Sequence, residues 1–388
     1  MTGAWASRVM TGRRSTVGGT AGAGTTAAEM PLLLAAPDKF RGTVTADEAA
    51  AAMARGGSSA GWSTRQIPLS DGGEGLLEAL ESVGGERGEV EVEGPLGRPV
   101  TAGWLRVGTV AVVEMAQASG LLLAGGAEGN DPLRASTRGT GKLVVAAAHA
   151  LADARRSGAA SVGGWPAGDT AGTVVVGLGG SATTDGGWGA LSVIEEAGGL
   201  GGVELVGACD VDVGFVEASP KFGPQKGADD AQVVTLAERL DGLADRYLAR
   251  YGVDVRLVAG AGAAGGLGGA IVALGGRLRS GYEVVSELLG FGDALRASQV
   301  VVTGEGAFDD TSLLGKVVGS VLRDASSAGV PVVIIAGQVS AGAAASAVES
   351  GAVVFSLTER FGRDRAMGDT ARCIEEAVEA CLADGAFG

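Results

Sequence analysis

Short apolar runs recur along this chain, and most of them end on a loop that mixes glycine with Asp, Glu or Lys. The loops read APDKFRG (36–42), PLSDGGEG (68–75), GLGGSATTDGG (177–187), FGPQKGA (222–228), GAGAAGG (260–266) and TGEGAFDDTSLLGK (303–316). The runs lie at 32–36, 64–69, 111–115, 173–178, 206–209, 256–259, 299–303, 332–336 and 353–355, and helical stretches of ten or more residues separate most of them. Short Val/Ile/Leu strands alternating with helices leave little choice but an α/β fold with mainly parallel sheets covered on both faces. In such folds ligands bind beyond the carboxyl ends of the strands. Glycine lets backbone come close to a ligand there, and carboxylates or Lys supply metal, base or phosphate contacts. The pattern points to an enzyme that handles phosphate.

At 388 residues the chain has room for two domains and a sizeable core. The Gly/Pro-rich segment 94–103 and a change of pattern after 290 predict a middle domain set into an outer one. Residues 1–29 have no hydrophobic period and no apolar core of a secretory signal, so they read as a disordered extension ahead of Met30. No apolar stretch reaches the ~18–20 residues that span a bilayer. A net charge of −15 argues against a nucleic-acid or membrane surface and requires a local cluster of cations for any anionic substrate. Cys209, Cys373 and Cys381 lack metal-ligand spacing and fit a reducing, cytoplasmic compartment. The sequence leaves the oligomeric state open.

His149 is the single histidine and sits in a predicted helix, so acid–base work falls to carboxylates or Lys. Lysine is scarce: five residues, Lys39, Lys142, Lys221, Lys226 and Lys316, among 30 basic side chains. Three of them, Lys39, Lys226 and Lys316, lie inside the glycine-rich loops, as expected where a compact ammonium is needed and Arg does not substitute.

No single loop decides the function. GLGGSA and GAGAAG both fit G-x-G-x-x-G/A, but neither is followed by a strand ending in an acid about 20 residues on; a nicotinamide-dependent oxidoreductase is kept as an alternative. LLGK resembles a P-loop ending, yet Asp310 stands where that motif needs Gly and Val317 where it needs Ser or Thr. Glu305 and Asp309 beside Lys316 suit magnesium-assisted phosphoryl transfer. Asp210 and Asp212 share a predicted strand end, where paired acids are costly unless a cation or donor meets them.

Together with EMAQASGLLL (114–123), STRGTGKL (136–143) and CDVD (209–212), these loops occur in the order found in the type I, 2-phosphoglycerate-forming glycerate kinase family, and the chain resembles that family over about 32–360. The resemblance implies ATP-dependent phosphorylation of D-glycerate, with ATP and Mg2+ as cofactors. It also implies a flavodoxin-like domain built from both chain ends (30–76 and 292–388) and an inserted α/β domain (77–291). Laid over it, the loop chemistry assigns Lys39, Asp185, Asp309 and Lys316 to catalysis. Arg41, Asp71, Glu74, Ser181 and Lys226 are assigned to substrate, Gly179, Gly180, Gly262 and Gly304 to nucleotide, and Asp185, Glu305 and Asp309 to metal. The chain departs from the family pattern at Ala307 (family Arg), Thr311 (Gln), Thr184 (Asn), Arg138 (an aromatic) and Lys142 (an acid), and in a short segment between 188 and 208. A non-catalytic binding paralogue is therefore the second alternative. The same departures raise the expectation that Arg138 reaches the cleft and replaces the arginine missing at 307.

Overall fold

Strand β1 (Leu32–Ala35) is apolar in every residue, and its alternate side chains enter two different cores, Leu33 and Ala35 one and Leu34 the other. A strand buried on both faces must lie inside a sheet rather than at its edge. The computed structural model, which describes residues 30–72, 75–81, 84–157, 165 and 170–383, places it so. β1 pairs in parallel with β2 (Ser63–Gln66) on one side and β9 (Val300–Phe308) on the other; β10 (Val332–Val339) and β11 (Val353–Ser356) continue the sheet beyond β9. Counted within this sheet the order is 2-1-3-4-5 and all pairings are parallel, which is flavodoxin-like topology. Chain direction across the order reverses between β1 and β9, and a crevice opens at that switch point.

The second sheet runs β3 (Glu86–Glu93), β4 (Pro99–Val107), β5 (Val110–Glu114), β6 (Thr173–Gly177), β7 (Glu204–Ala208) and β8 (Arg277–Arg279). β3, β4 and β5 are antiparallel neighbours, and β5 to β8 are parallel. Side-chain parity builds the layers here as well. Val112, Val175 and Val206 enter the core that also receives Leu34, Val301 and Ile334 of the first sheet. The helices Leu76–Glu81, Gly281–Leu288, Phe291–Ala297 and Val317–Ala328 fill this shared layer. Val113, Val174 and Val176 face a separate core with the helices Arg138–Arg156, Trp188–Glu196 and Asp230–Tyr251. On the far side of the first sheet, Ala46–Ser59 and Thr370–Ala383 cover Leu33, Val302 and Ile335.

The first sheet draws its strands from residues 32–66 and 300–356, the second from 86–279. The two sheets, called here the first and second lobes, are joined through the shared helical layer within one compact unit. Two expectations are corrected. Segment 94–98 is the turn of the β3–β4 hairpin, closed by Gly94 N–H donating to Arg98 O at 2.6 Å, and not a domain junction. Residues 256–259 form no strand, because Val255–Leu257 is a 3-10 turn capped by Asp254. Residues 277–279, which none of the apolar runs covers, form β8. The extension 1–29 and Glu74 lie outside the described residues. Among the described residues no helix is long and apolar enough to cross a membrane.

Candidate active site

The loop after β1 is zipped onto β9. Ala36 N–H donates to Val302 O at 2.8 Å, Asp38 N–H to Gly304 O at 2.9 Å, and the Thr303 hydroxyl to Ala36 O at 2.8 Å. Phe40 is buried and closes the loop by exchanging backbone bonds with Val44. With Phe40 anchored inward, Asp38, Lys39 and Arg41 line a cavity of about 370 Å³ at the switch point. Its opposite wall is the end of β9 and the following loop, with Glu305, Ala307, Asp309 and Lys316. A larger cavity of about 860 Å³ continues from it, sharing Lys39, Arg41 and Asp71 and reaching Gly179, Gly180 and Gln225 of the second lobe. Four of the sequence's loops, 36–42, 177–187, 222–228 and 303–316, thus contribute to one continuous cleft.

The charges in this cleft are frustrated in a useful way. Burial raises the Glu305 carboxyl to about 7, with neighbouring Asp38 and Asp309 adding to the shift and Ser312 and Lys316 opposing it. Burial likewise raises Asp38 to about 6, reinforced by Asp71 and opposed by Lys39 and Arg41. The Glu305 Oε1 atom is buried with no hydrogen-bond partner among the described residues. A buried carboxylate oxygen without a donor fits a cation or a substrate hydroxyl, and near-neutral carboxyls suit proton transfer. Asp309 differs: it is exposed and accepts from Thr311 N–H, the Thr311 hydroxyl and Ser312 N–H, and these bonds hold its carboxyl below the usual range. Lys316 caps the start of Val317–Ala328 rather than lying within that helix, and its Nζ donates to Thr311 at 2.9 Å.

Lys39, Arg41, Asp71, Gly179, Gly180, Glu305, Asp309 and Lys316 therefore line the cleft. Asp185 does not. Its carboxylate accepts from Thr137 N–H and the Thr137 hydroxyl, both at 2.8 Å, from Gly189 N–H at 3.3 Å and from Gly187 N–H at 3.1 Å. It ties the starts of Arg138–Arg156 and Trp188–Glu196 together, so the grouping of Asp185 with Glu305 and Asp309 around a metal is not what the geometry gives. Lys226 is buried too; its Nζ donates to Thr183 O at 2.7 Å, and burial lowers it to about 8. Ser181 is buried in a backbone bridge to Gly120.

Gly262 and Gly304 are glycines for packing. A Cβ on Gly262 would lie 2.2 Å from Gly214 O, and one on Gly304 1.9 Å from Ile335 O. Arg138 is drawn away from Ala307 into ion pairs with Glu196 and Glu93, so it is no replacement for a cleft arginine. Arg363 lines the same cavity as Ala307. Asp38 and Arg363 are the site residues that sequence reasoning passed over. Asp38 stood two residues beyond an apolar run in a loop already recognised, whereas Arg363 lies in no motif.

The cleft chemistry fits a divalent cation with phosphates: an unpartnered carboxylate oxygen, further acids within electrostatic reach, and Lys39, Arg41 and Lys316 around them. Among the described residues no three acidic, His or Cys side chains gather as a closed metal cage. Mg2+ usually needs none, being held by one or two carboxylates and the substrate's phosphates.

A family model described as the glycerate kinase family matches residues 33–195 and 193–384. The chain belongs to the glycerate kinase family. It is 36% identical to a glycerate kinase from Halalkalibacterium halodurans over 90% of this chain and 97% of that one. It is also 36% identical to the glycerate 2-kinase of Escherichia coli K12, covering 79% of this chain and 84% of the other. An uncharacterised Mycobacterium bovis protein is 40% identical over 87% of each chain. A solved structure from Salmonella typhimurium LT2, described as a candidate glycerate kinase 2, superposes with a TM-score of 0.70 at 29% identity over 92% of this chain and 98% of that one. Family and fold agree with the expectation drawn from the loop motifs.

Proposed function

We propose that this chain is an ATP-dependent kinase that phosphorylates D-glycerate, or a closely related small hydroxy-acid, to the 2-phosphate. One observation carries the reading. The switch-point cavity is lined by Glu305, with a buried, partner-free carboxylate oxygen, and by Lys39, Arg41 and Lys316. The cations offset the substrate carboxylate and the charge on the transferring group, a local positive cluster in a chain of net charge −15. Glu305, raised to about 7, accepts the hydroxyl proton of the substrate as its oxygen attacks, and Asp38 restrains Lys39 through the backbone bond at their junction. Gly179 and Gly180 at the far wall offer backbone approach to phosphate. Asp38, together with the phosphates of a bound nucleotide, would hold a magnesium ion, which would supply charge neutralisation for those phosphates.

The deciding experiment is ADP release coupled to an indicator enzyme, with purified protein, ATP, Mg2+ and a panel of D-glycerate, L-glycerate, lactate, glycolate and tartronate. Turnover with D-glycerate and identification of 2-phosphoglycerate by NMR supports the reading. Turnover with another hydroxy-acid alone corrects the substrate. No turnover with any acid favours the non-catalytic paralogue that Ala307 raises.

A further inference from the structure

The Arg138 and Asp185 side chains border a second cavity, of about 610 Å³, with none of the cleft's lining residues. Arg134, Arg138, Arg239 and Arg246 all line it, together with Trp188 and Thr184. Asp185 is the one acid lining it among the described residues, and its oxygens are already taken by Thr137, Gly187 and Gly189. Arg138 spends its charge on Glu196 and Glu93, and Arg239 donates one N–H to Leu133 O at 3.1 Å. Arg134 and Arg246 have no carboxylate partner among the described residues. The Arg246 guanidinium lies 4.1 Å from the Trp188 ring centroid, which fixes its plane while leaving its N–H edge open. Thr184 is 2% exposed, and its hydroxyl has no hydrogen-bond partner among the described residues.

A pocket with two uncompensated guanidiniums and a spare buried hydroxyl is unusual in so acidic a chain, and it matches a doubly charged anion with several acceptor oxygens. We propose that this cavity is a second binding site, for a small phosphate monoester, separate from the reaction cleft. Thr184 and Asp185 belong to the same loop as Gly179 and Gly180 of the cleft.

The probe is inorganic phosphate, titrated into the full chain while tryptophan fluorescence and calorimetric heat are followed. We expect saturable quenching that disappears in Trp188→Phe, survives Lys39→Ala/Lys316→Ala, and weakens about tenfold or more for each guanidinium removed in Arg134→Ala and Arg246→Ala. Circular dichroism checks that each variant is folded. Turnover and KM for ATP in the Arg134→Ala/Arg246→Ala double variant, measured without added phosphate, should stay within about twofold of wild type. An unchanged phosphate affinity in the double variant overturns the site. Loss of the signal in the Lys39→Ala/Lys316→Ala variant assigns phosphate to the cleft instead, and a large rise in KM for ATP in the double variant makes the cavity part of the reactant site; either result also overturns the proposal.

Discussion

Glu305 and Asp38 owe their properties to a conflict between burial and neighbouring charge, and that conflict predicts both rate and stability. With Glu305 near 7 as the accepting group, kcat/KM should rise with pH through about 6 to 7, and Glu305→Gln should lower turnover by about 10²-fold or more and flatten that limb. The stability sign is opposite. A carboxyl with a folded value raised above its unfolded one holds its proton better when folded, so stability falls as pH rises from about 4.5 to about 7. Denaturant midpoints at pH 5 and 8 should therefore differ less in Glu305→Gln than in wild type. Asp185 calls for the contrary result. Asp185→Asn leaves at least one of the Thr137, Gly187 and Gly189 donors unpaired in a buried place, and should cost on the order of 2–4 kcal/mol in urea unfolding. A variant as stable as wild type but inactive would return Asp185 to the reaction. Arg363 is a further cation lining the cavity that Ala307 also lines; Arg363→Ala should raise the KM for the acid about tenfold, and Ala307→Arg in that background should recover most of it. No recovery would show that the two positions serve different groups.

At the level of elements, β9 is where sheet and site are the same object. Val300–Val302 bury themselves in the sheet, and further along the same strand Glu305 and Ala307 face the cavity. Gly304 makes this continuity feasible, because any side chain there meets the Ile335 carbonyl of β10. Gly304→Ala should lower the melting temperature by several degrees and the activity with it, since the strand must shift to relieve a contact against backbone. Unchanged melting with unchanged activity would mean that β10 yields easily. The strands central to each sheet were legible because they are continuous apolar runs: β1, β5, β6, β9 and β10 all fall where the sequence put them. β3 was not, although Glu89-Val90-Glu91-Val92-Glu93 alternates with the strict period of a half-exposed strand. Its glutamates keep it out of the apolar runs that marked the other strands. In the site, residues displayed on loops beside glycine were legible as charges near a ligand, but Asp185 and Lys226 carry the same signature while facing inward. Residue type and spacing do not say which way a side chain turns once backbone donors compete for it. Arg363 was illegible for another reason: it comes from a short turn of helix that only the return of the chain past β11 brings to the cleft.

For the whole molecule, a shared layer of helices joins the two sheets into one packed body, with Leu34, Val301 and Ile334 on one side and Val112, Val175 and Val206 on the other. The cleft stands at the rim of that body, where Lys39 and Arg41 from one lobe meet Gly179 and Gly180 from the other. The outer face of β1 is covered by Ala46–Ser59 and by Thr370–Ala383, packed so closely that a Cβ on Gly56 would lie 2.4 Å from Glu375 O. On a ribosome this order of assembly has a consequence. β1 emerges early, yet its partner β9 and the helix that seals it are among the last segments synthesised. Chains stalled at residue 298 should accordingly be cut by protease within 31–70, and the released full chain should resist there. Early resistance would show that the first lobe closes without its far end. Otherwise this protein spends most of its own translation with an apolar strand open on the side that β9 will take, and its yield in a cell depends on what shelters residues 32–35 in the interval.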